Sequence, residues 1–193
     1  MNVDNLISRR IRELRKSRDL TIEQLAERSG VSRSMISLIE RQETSPTAAV
    51  LNKLADALGV SLPGLFSHDA DDKSPVSLLD DQVVWTDPAS GYVRRDLSPL
   101  GWGSPIELVE VRFPAGQTVT FDNPVRSVVT HQQVWVLEGQ MDITVAGQAW
   151  RIGSGDCLAM ELGERIVFHN PTHQQARYLL ALTSTATISR RAP

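Results

Sequence analysis

Apolar positions in the first third of the chain recur at helical spacing. Ile7, Ile11 and Leu14 stand at i, i+4 and i+7 with Leu6 beside them, which predicts a helix from about Asp4, its cap, to Ser17. Thr21 with Gln24 three residues on is a capping box for a second helix. Ile22, Leu25 and Ala26 form its apolar stripe, and Gly30 stands where a left-handed C-cap is needed, so this helix ends at Ser29. A third helix starts near Ser32 and buries Met35, Ile36 and Ile39, leaving Arg33, Ser34, Ser37, Leu38 and Arg41 as a second stripe that faces away. A fourth opens at Ser45-Pro46, with serine as cap and proline at the first helical position, buries Val50, Leu51, Leu54 and Leu58, and stops at Gly59. A short fifth helix, Ser61 to Phe66, closes the bundle with Leu62, Leu65 and Phe66.

The pattern changes character near residue 70. Turn signals at Glu138-Gly139, Ala146-Gly147 and Gly153-Ser154-Gly155-Asp156 recur at eight-residue spacing and enclose the strand-length runs Met141 to Val145 and Gln148 to Ile152. An antiparallel barrel or sandwich is expected there. Between the two patterns, Ser67 to Pro75 reads SHDADDKSP, a linker composition that predicts two loosely joined halves. The expected organisation is multidomain α plus all-β: a helical domain over 1–66, a linker over 67–82 and a β domain over 83–193.

Charge sharpens this division. The 193 residues carry a net charge of -3, but residues 1–66 hold 10 Lys+Arg against 8 Asp+Glu, or +2, which leaves -5 for the remainder. Arg9, Arg10, Arg12, Arg15, Lys16 and Arg18 concentrate on and just after the first helix, and some of them are expected to meet phosphate. No apolar run approaches the roughly 18 residues of a membrane span, and the amino terminus lacks the apolar core of a secretory signal, so a cytoplasmic location with no membrane partner is expected. Cys157 is the single cysteine; its neighbours Leu158 and Met160 predict a packed thiol on a buried strand, and redox sensing has only weak support.

Two short helices meeting at a glycine turn, the second with one apolar and one polar face, are how a helix-turn-helix presents a helix to DNA. From Leu6 to Phe66 the chain resembles the lambda-repressor-like, or XRE, helix-turn-helix family. The matching residues are Leu25-Ala26, Gly30-Val31-Ser32, Ile36-Ser37, Ile39-Glu40-Arg41, Ser45-Pro46, Leu54-Ala55 and Leu58-Gly59-Val60. Arg33, near the start of the third helix, can present a bidentate fork to guanine and is the first candidate for base readout. Ser34 and Ser37 can bond base edges or phosphates, and Leu38 either meets a thymine methyl or packs on a neighbour. Thr21 and Ser32, the caps of the two helices, complete the face, and the resemblance implies phosphate contacts from Arg41, Gln42 and Thr44. It also implies an ion pair between Arg15 and Glu40, and a twofold homodimer on an inverted-repeat operator in double-stranded DNA.

Trp135-Val136-Leu137-Glu138-Gly139, and Gly155-Asp156 through Asn170-Pro171, resemble the two motifs of the cupin family, a jelly-roll β-barrel, over Ile106 to Thr183. Gly139, Gly155, Gly163 and Asn170 fit in register, but the positions where that family carries its metal ligands hold Arg126, Val128, Gln132 and Ile166. An amide, two aliphatic groups and a guanidinium do not form a transition-metal ligand set, so neither metal nor other cofactor is expected. His131 is out of phase with Gln132, and His169 is off register with Ile166; these and His173 read as surface or turn residues. The barrel interior would hold a small-molecule effector among Arg126, Val128, Gln132, Trp135 and Ile166, anionic if Arg126 faces inward; Arg126 sits in the loop Phe121 to Thr130 and can instead face solvent. Trp85, Trp102 and Trp150 are expected in the core or a dimer interface.

Together these features point to a transcriptional regulator, not an enzyme: a five-helix lambda-repressor-like head and a metal-free cupin barrel that dimerises and senses a small effector. Two alternatives stay open. One is a cupin isomerase or oxygenase tethered to DNA; the other is a constitutive repressor or antitoxin whose barrel only dimerises.

Overall fold

Four α-helices open the chain: α1 (Val3–Ser17), α2 (Ile22–Ser29), α3 (Arg33–Glu40) and α4 (Ala48–Ala57). The computed structural model describes residues 3–66, 74–99, 101–122 and 128–186. α1 buries Leu6, Ile7, Ile11 and Leu14 on one face. At the start of α2, Thr21 Oγ1 accepts from Gln24 N–H at 3.1 Å while Thr21 N–H donates to Gln24 Oε1 at 2.9 Å. Two amide donors that a helix start leaves unpaired are thereby satisfied. Gly30 ends α2 at φ 66°, its N–H reaching Ala26 O. α3 buries Ile36 and Ile39, with Met35 half-buried.

Three expected helix boundaries need correction. Asp4 lies in the first turn of α1 and is not its cap. α4 is capped by Thr47, whose side chain accepts from Val50 N–H, and not by Ser45; the buried Pro46 belongs to the loop before the cap. The expected fifth helix is a single 3-10 turn, Pro63–Leu65. Gly64, a poor helix former, lies inside it, and Ser61 Oγ takes the Gly64 N–H, leaving one turn and no more. Leu65 and Phe66 are nevertheless fully buried.

The β unit holds ten strands among the described residues, in two antiparallel sheets. One runs β1 (Val84–Thr86), β2 (Val93–Asp96), β3 (Ile106–Phe113), β10 (Ala176–Ala186), β5 (Val128–Glu138), β8 (Cys157–Glu161). The other runs β4 (Thr118–Phe121), β9 (Ile166–His169), β6 (Gln140–Val145), β7 (Gln148–Gly153). The β6–β7 hairpin turns on Ala146 and Gly147, both at positive φ (51° and 83°), which gives the two-residue turn that matches strand twist. Gly139 is required by space as well as by its φ of 82°: a Cβ there would lie 3.0 Å from Ala176 Cα. The sheets pack face to face, Val134, Val136, Tyr178 and Leu180 against Met141, Ile143, Ile166 and Phe168, and the Phe168 and Tyr178 rings stack at 6.0 Å.

The expectation of loosely joined halves is overturned at their seam. Rings run in unbroken contact from Phe66, the end of the helical unit, through Trp85, Tyr92, Phe113, Tyr178 and Phe168 to Phe121, at centroid distances of 5.8–6.4 Å. The Arg94 guanidinium lies 5.3 Å from the Phe66 ring centroid. Asp87 Oδ1 accepts from Ala48 N–H at 2.9 Å, Ser61 Oγ donates to Glu107 at 3.0 Å, and Asn52 Nδ2 donates to Asp122 O at 3.3 Å. None of these residues belongs to the polar linker. Its composition describes only the connecting chain, of which 67–73 lie outside the described residues.

Cys157 is also corrected. It is exposed beside Trp135, because it takes the outward parity of β8. Trp85 is core at 2% exposure, Trp150 is half-buried and Trp102 is exposed. Replacing Trp85 with alanine removes the ring that bridges the units, and urea unfolding should show a loss of about 3–5 kcal/mol. An unchanged midpoint would mean that the seam contributes nothing.

Candidate DNA interface and interior cavity

The outward face of α3 is polar and open to solvent. Arg33 and Ser34 are exposed, Ser37 and Leu38 half-exposed, and Arg41 is exposed at the C-cap. Ser32 caps α3 by accepting from Met35 N–H at 3.2 Å, and its hydroxyl lies 3.1 Å from that of Ser34. Thr21, at the start of α2, is exposed as well. Arg33 rests against Glu23 at 3.4 Å and Arg41 against Glu43 at 2.9 Å, both pairs more than half exposed. Such pairs contribute little and exchange readily for a phosphate or a base.

Past α3 the chain turns through Gln42 at φ 65°. Gln42 N–H reaches Ile39 O and Glu43 N–H reaches Leu38 O, each at 2.9 Å, a Schellman closure with glutamine where glycine is usual. The left-handed conformation costs a side-chain-bearing residue roughly 1–2 kcal/mol. Thr44, which follows, is half-buried.

Behind this face, Arg15 forks onto Glu40. Nε donates to Oε1 at 2.6 Å, Nη2 to Oε2 at 2.8 Å, and Nη1 to Leu20 O at 2.8 Å. The two side chains are 12% and 6% exposed. The Glu40 carboxylate raises the Arg15 pKa, chiefly through the direct hydrogen bond. One guanidinium thus ties α1, the α1–α2 loop and the end of α3 together. Arg10 donates to Gly64 O, tying the first helix to the end of the head, and the exposed Arg18 donates to Leu14 O in the last turn of α1.

Between the helical unit and the two sheets lies a cavity of about 60 Å³ lined by sixteen residues. Gln132 and Ile166 line it, Gln132 with its amide 3.9 Å from Met160 Sδ. Trp135 does not: it is 48% exposed on the opposite face of β5 and meets Gln133, Cys157, Leu179 and Ala181. Strand alternation decides this, since Gln132, Val134 and Val136 point inward and Trp135 has the other parity. Arg126 and the Val128 side chain lie outside the described residues.

Apart from Gln132, the polar side of this cavity comes from residues outside the expected effector set. Tyr92, just before β2, and Arg94 line it, and Asp96 lies behind Arg94 on the same face of β2; the three are 4%, 3% and 6% exposed. Arg94 donates through Nε and Nη2 to Asp96 Oδ1 at 3.1 and 2.8 Å. Burial pushes the Asp96 carboxyl up, against the pull of Arg94, and pushes Glu107 up against its bond from Ser61. Their i, i+2 spacing was a usable signal for a shared face, but nothing local told inward from outward. From the helical unit, Asn52, Ser61 and Leu62 complete the wall. Among the described residues no cluster of three His, Cys, Asp or Glu is placed to hold a metal; His131 is exposed, and His169 Nδ1 lies 2.9 Å from Thr118 Oγ1.

Residues 11–65 match the helix-turn-helix family. The control protein C.SmaI of Serratia marcescens is 37% identical over 68 residues, which span 35% of this chain and 81% of that protein. The chain belongs to the helix-turn-helix family of transcriptional regulators. The HTH-type transcriptional regulator SutR of Escherichia coli is 26% identical over 92% of this chain and 94% of its own length. A crystal structure of an HTH_3 family transcriptional regulator from Vibrio cholerae superposes with a TM-score of 0.74 at 24% identity, covering 94% of this chain and 96% of that one. The fold of helical head plus β unit is therefore shared along the whole length with a helix-turn-helix regulator. No helix of the described residues is long and apolar enough to cross a membrane.

Removing Glu40 alone strands a largely buried guanidinium, so Glu40→Ala should cost about 3–5 kcal/mol, whereas Arg15→Met with Glu40→Met should recover most of it. Thermal and urea unfolding of the three proteins tests this; equal losses in single and double variants would refute it.

Proposed function

We propose that this helix-turn-helix regulator is a cytoplasmic, sequence-specific homodimer that binds an inverted-repeat operator and responds to a small effector held in the β unit. The observation that carries the DNA reading is the exposed polar face of α3, backed by the Arg15–Glu40 fork. In this reading residues 1–66 are the DNA-binding domain, 67–82 the linker and 83–193 the sensor and dimerisation domain. Arg33 reads a base, Ser34, Ser37 and Leu38 meet base edges or backbone, and Thr21, Ser32, Arg41, Gln42 and Thr44 hold phosphates. The glutamine retained at the strained position after α3 fits such a role, because glycine there would remove the side chain from the interface.

An eight-residue recognition helix offers too little contact for tight binding by one head, which favours two half-sites about 34 Å apart. The partner surface we assign is the outer face of the six-stranded sheet, where Trp135, Leu179, Ala181 and Cys157 form a shallow apolar depression. The effector reading rests on the cavity wall. Asn52, Ser61 and Leu62 belong to the head, so a ligand touching them and the sheet has unequal affinity for two placements of the head, which is the requirement for any shift in operator binding. No residue set at the family's metal positions supports a metal-dependent enzyme.

Arg33→Ala should relax preference at one base pair per half-site, by about 1–3 kcal/mol, while Arg41→Ala weakens all sequences alike; selection from a randomised operator library separates them. Unchanged base preference in Arg33→Ala would sink the readout assignment. Trp135→Glu should yield monomers in sedimentation equilibrium and lose operator affinity. A wild-type footprint protecting one asymmetric site would count against the dimer.

A further inference from the structure

The cavity wall holds donors that lack a partner. Arg94 spends Nε and Nη2 on Asp96, and its Nη1 has no hydrogen-bond partner among the described residues. Tyr92 and Tyr178, 4% and 3% exposed, line the same space, and neither phenol hydroxyl is bonded to a described residue. Burial raises the pKa of both phenols, so both remain O–H donors. Asp96 Oδ2 and Glu107 Oε2, two of the buried acceptors without a partner, belong to residues that do not line the cavity. The acceptors on the wall are neutral amide and hydroxyl oxygens, Gln132 among them, so an ammonium entering this space would meet no carboxylate, while the unmatched buried donors are costly.

We propose that the cavity is the binding site of a small monocarboxylate, gripped by Arg94 Nη1 and the hydroxyls of Tyr92 and Tyr178. Its apolar body lies against Phe113, Phe168, Ile166 and Leu180. A planar carboxylate matches the free edge of a guanidinium, whereas a dianion such as phosphate brings a second charge into an apolar wall where Asp96 already offsets Arg94. Size points the same way, since the open volume admits a few carbon atoms beyond the acid group. The inference rests on the reading of the cavity as an effector site and adds the ligand class and its three anchors.

The test titrates the full-length protein with benzoate and 3-methylbutanoate, with benzamide and 3-methylbutanamide, and with benzylamine and 3-methylbutylamine, by calorimetry and thermal shift. Carboxylates are expected to raise the melting temperature and to bind about tenfold or more tighter than their amides and amines. Tyr92→Phe and Tyr178→Phe, which remove one oxygen each and keep the ring packing, should each weaken carboxylate binding about tenfold. Arg94→Met with Asp96→Leu should abolish it; if that protein fails to fold, the two phenylalanine variants decide. Amides or amines binding as tightly as carboxylates, no saturable binding by any probe, or unaltered affinity in both phenylalanine variants would overturn the site. Operator affinity is measured in parallel. Carboxylate binding through the three anchors that leaves operator affinity constant upholds this site and sinks the effector reading, while an amine that binds and releases DNA does the reverse.

Discussion

Burial of Phe66 against Trp85 is the contact on which the rest of the molecule depends. Phe66 ends the helical unit and Trp85 begins the first sheet, so one aromatic pair fixes where the head sits on the β unit. The ring run that continues through Tyr92, Phe113 and Tyr178 carries this placement into the space between the sheets. Close-packed interiors are stiff, and a ring held on both sides cannot shift without its neighbours. A change anywhere along the run therefore has a physical path to the head.

Polar groups cross the same seam at a cost that packing offsets. Arg94 is buried with its charge matched by Asp96 and its face laid on Phe66, an arrangement that desolvates a guanidinium yet leaves one edge unused. Ser61 and Asn52 do for the head what Arg94 does for the sheet, each sending a polar side chain across the boundary. The chain thus concentrates unspent hydrogen-bonding capacity where its two units meet, which is where a small molecule could influence both.

Local signals are well represented in the sequence. The Thr21 and Gln24 box, the Gly30 cap and the apolar faces of α1 to α3 depend on neighbours within one or two turns, so residue identity and spacing suffice to read them. Thr47 displaces Ser45 as the α4 cap because several capping residues stand in a row and only tertiary placement chooses among them. In the β unit the turns are legible and the faces are not: assigning Gln132 and Trp135 to one interior ignores their opposite parity, and Cys157 follows Trp135 outward. The seam leaves no trace at all, since Asp87 and Ala48 meet across 39 positions. Arg94 escapes for the same reason, as its significance lies in Phe66 and Tyr178, both far along the chain.

Asp87 completes the amino terminus of α4 from the other unit: one carboxylate oxygen receives Ala48 N–H, and the other receives Ser90 in its own turn. A helix end is usually closed by residues that travel with it. Here part of the closure is encoded in a different structural unit, so the head is not a self-contained cassette. Recombination that grafted it onto a foreign barrel would inherit an unfinished helix end and an uncovered Phe66, unless the new partner supplied both a carboxylate and an aromatic ring. The two halves are thus one packing unit at the seam, and a substitution on either side of it is felt on the other.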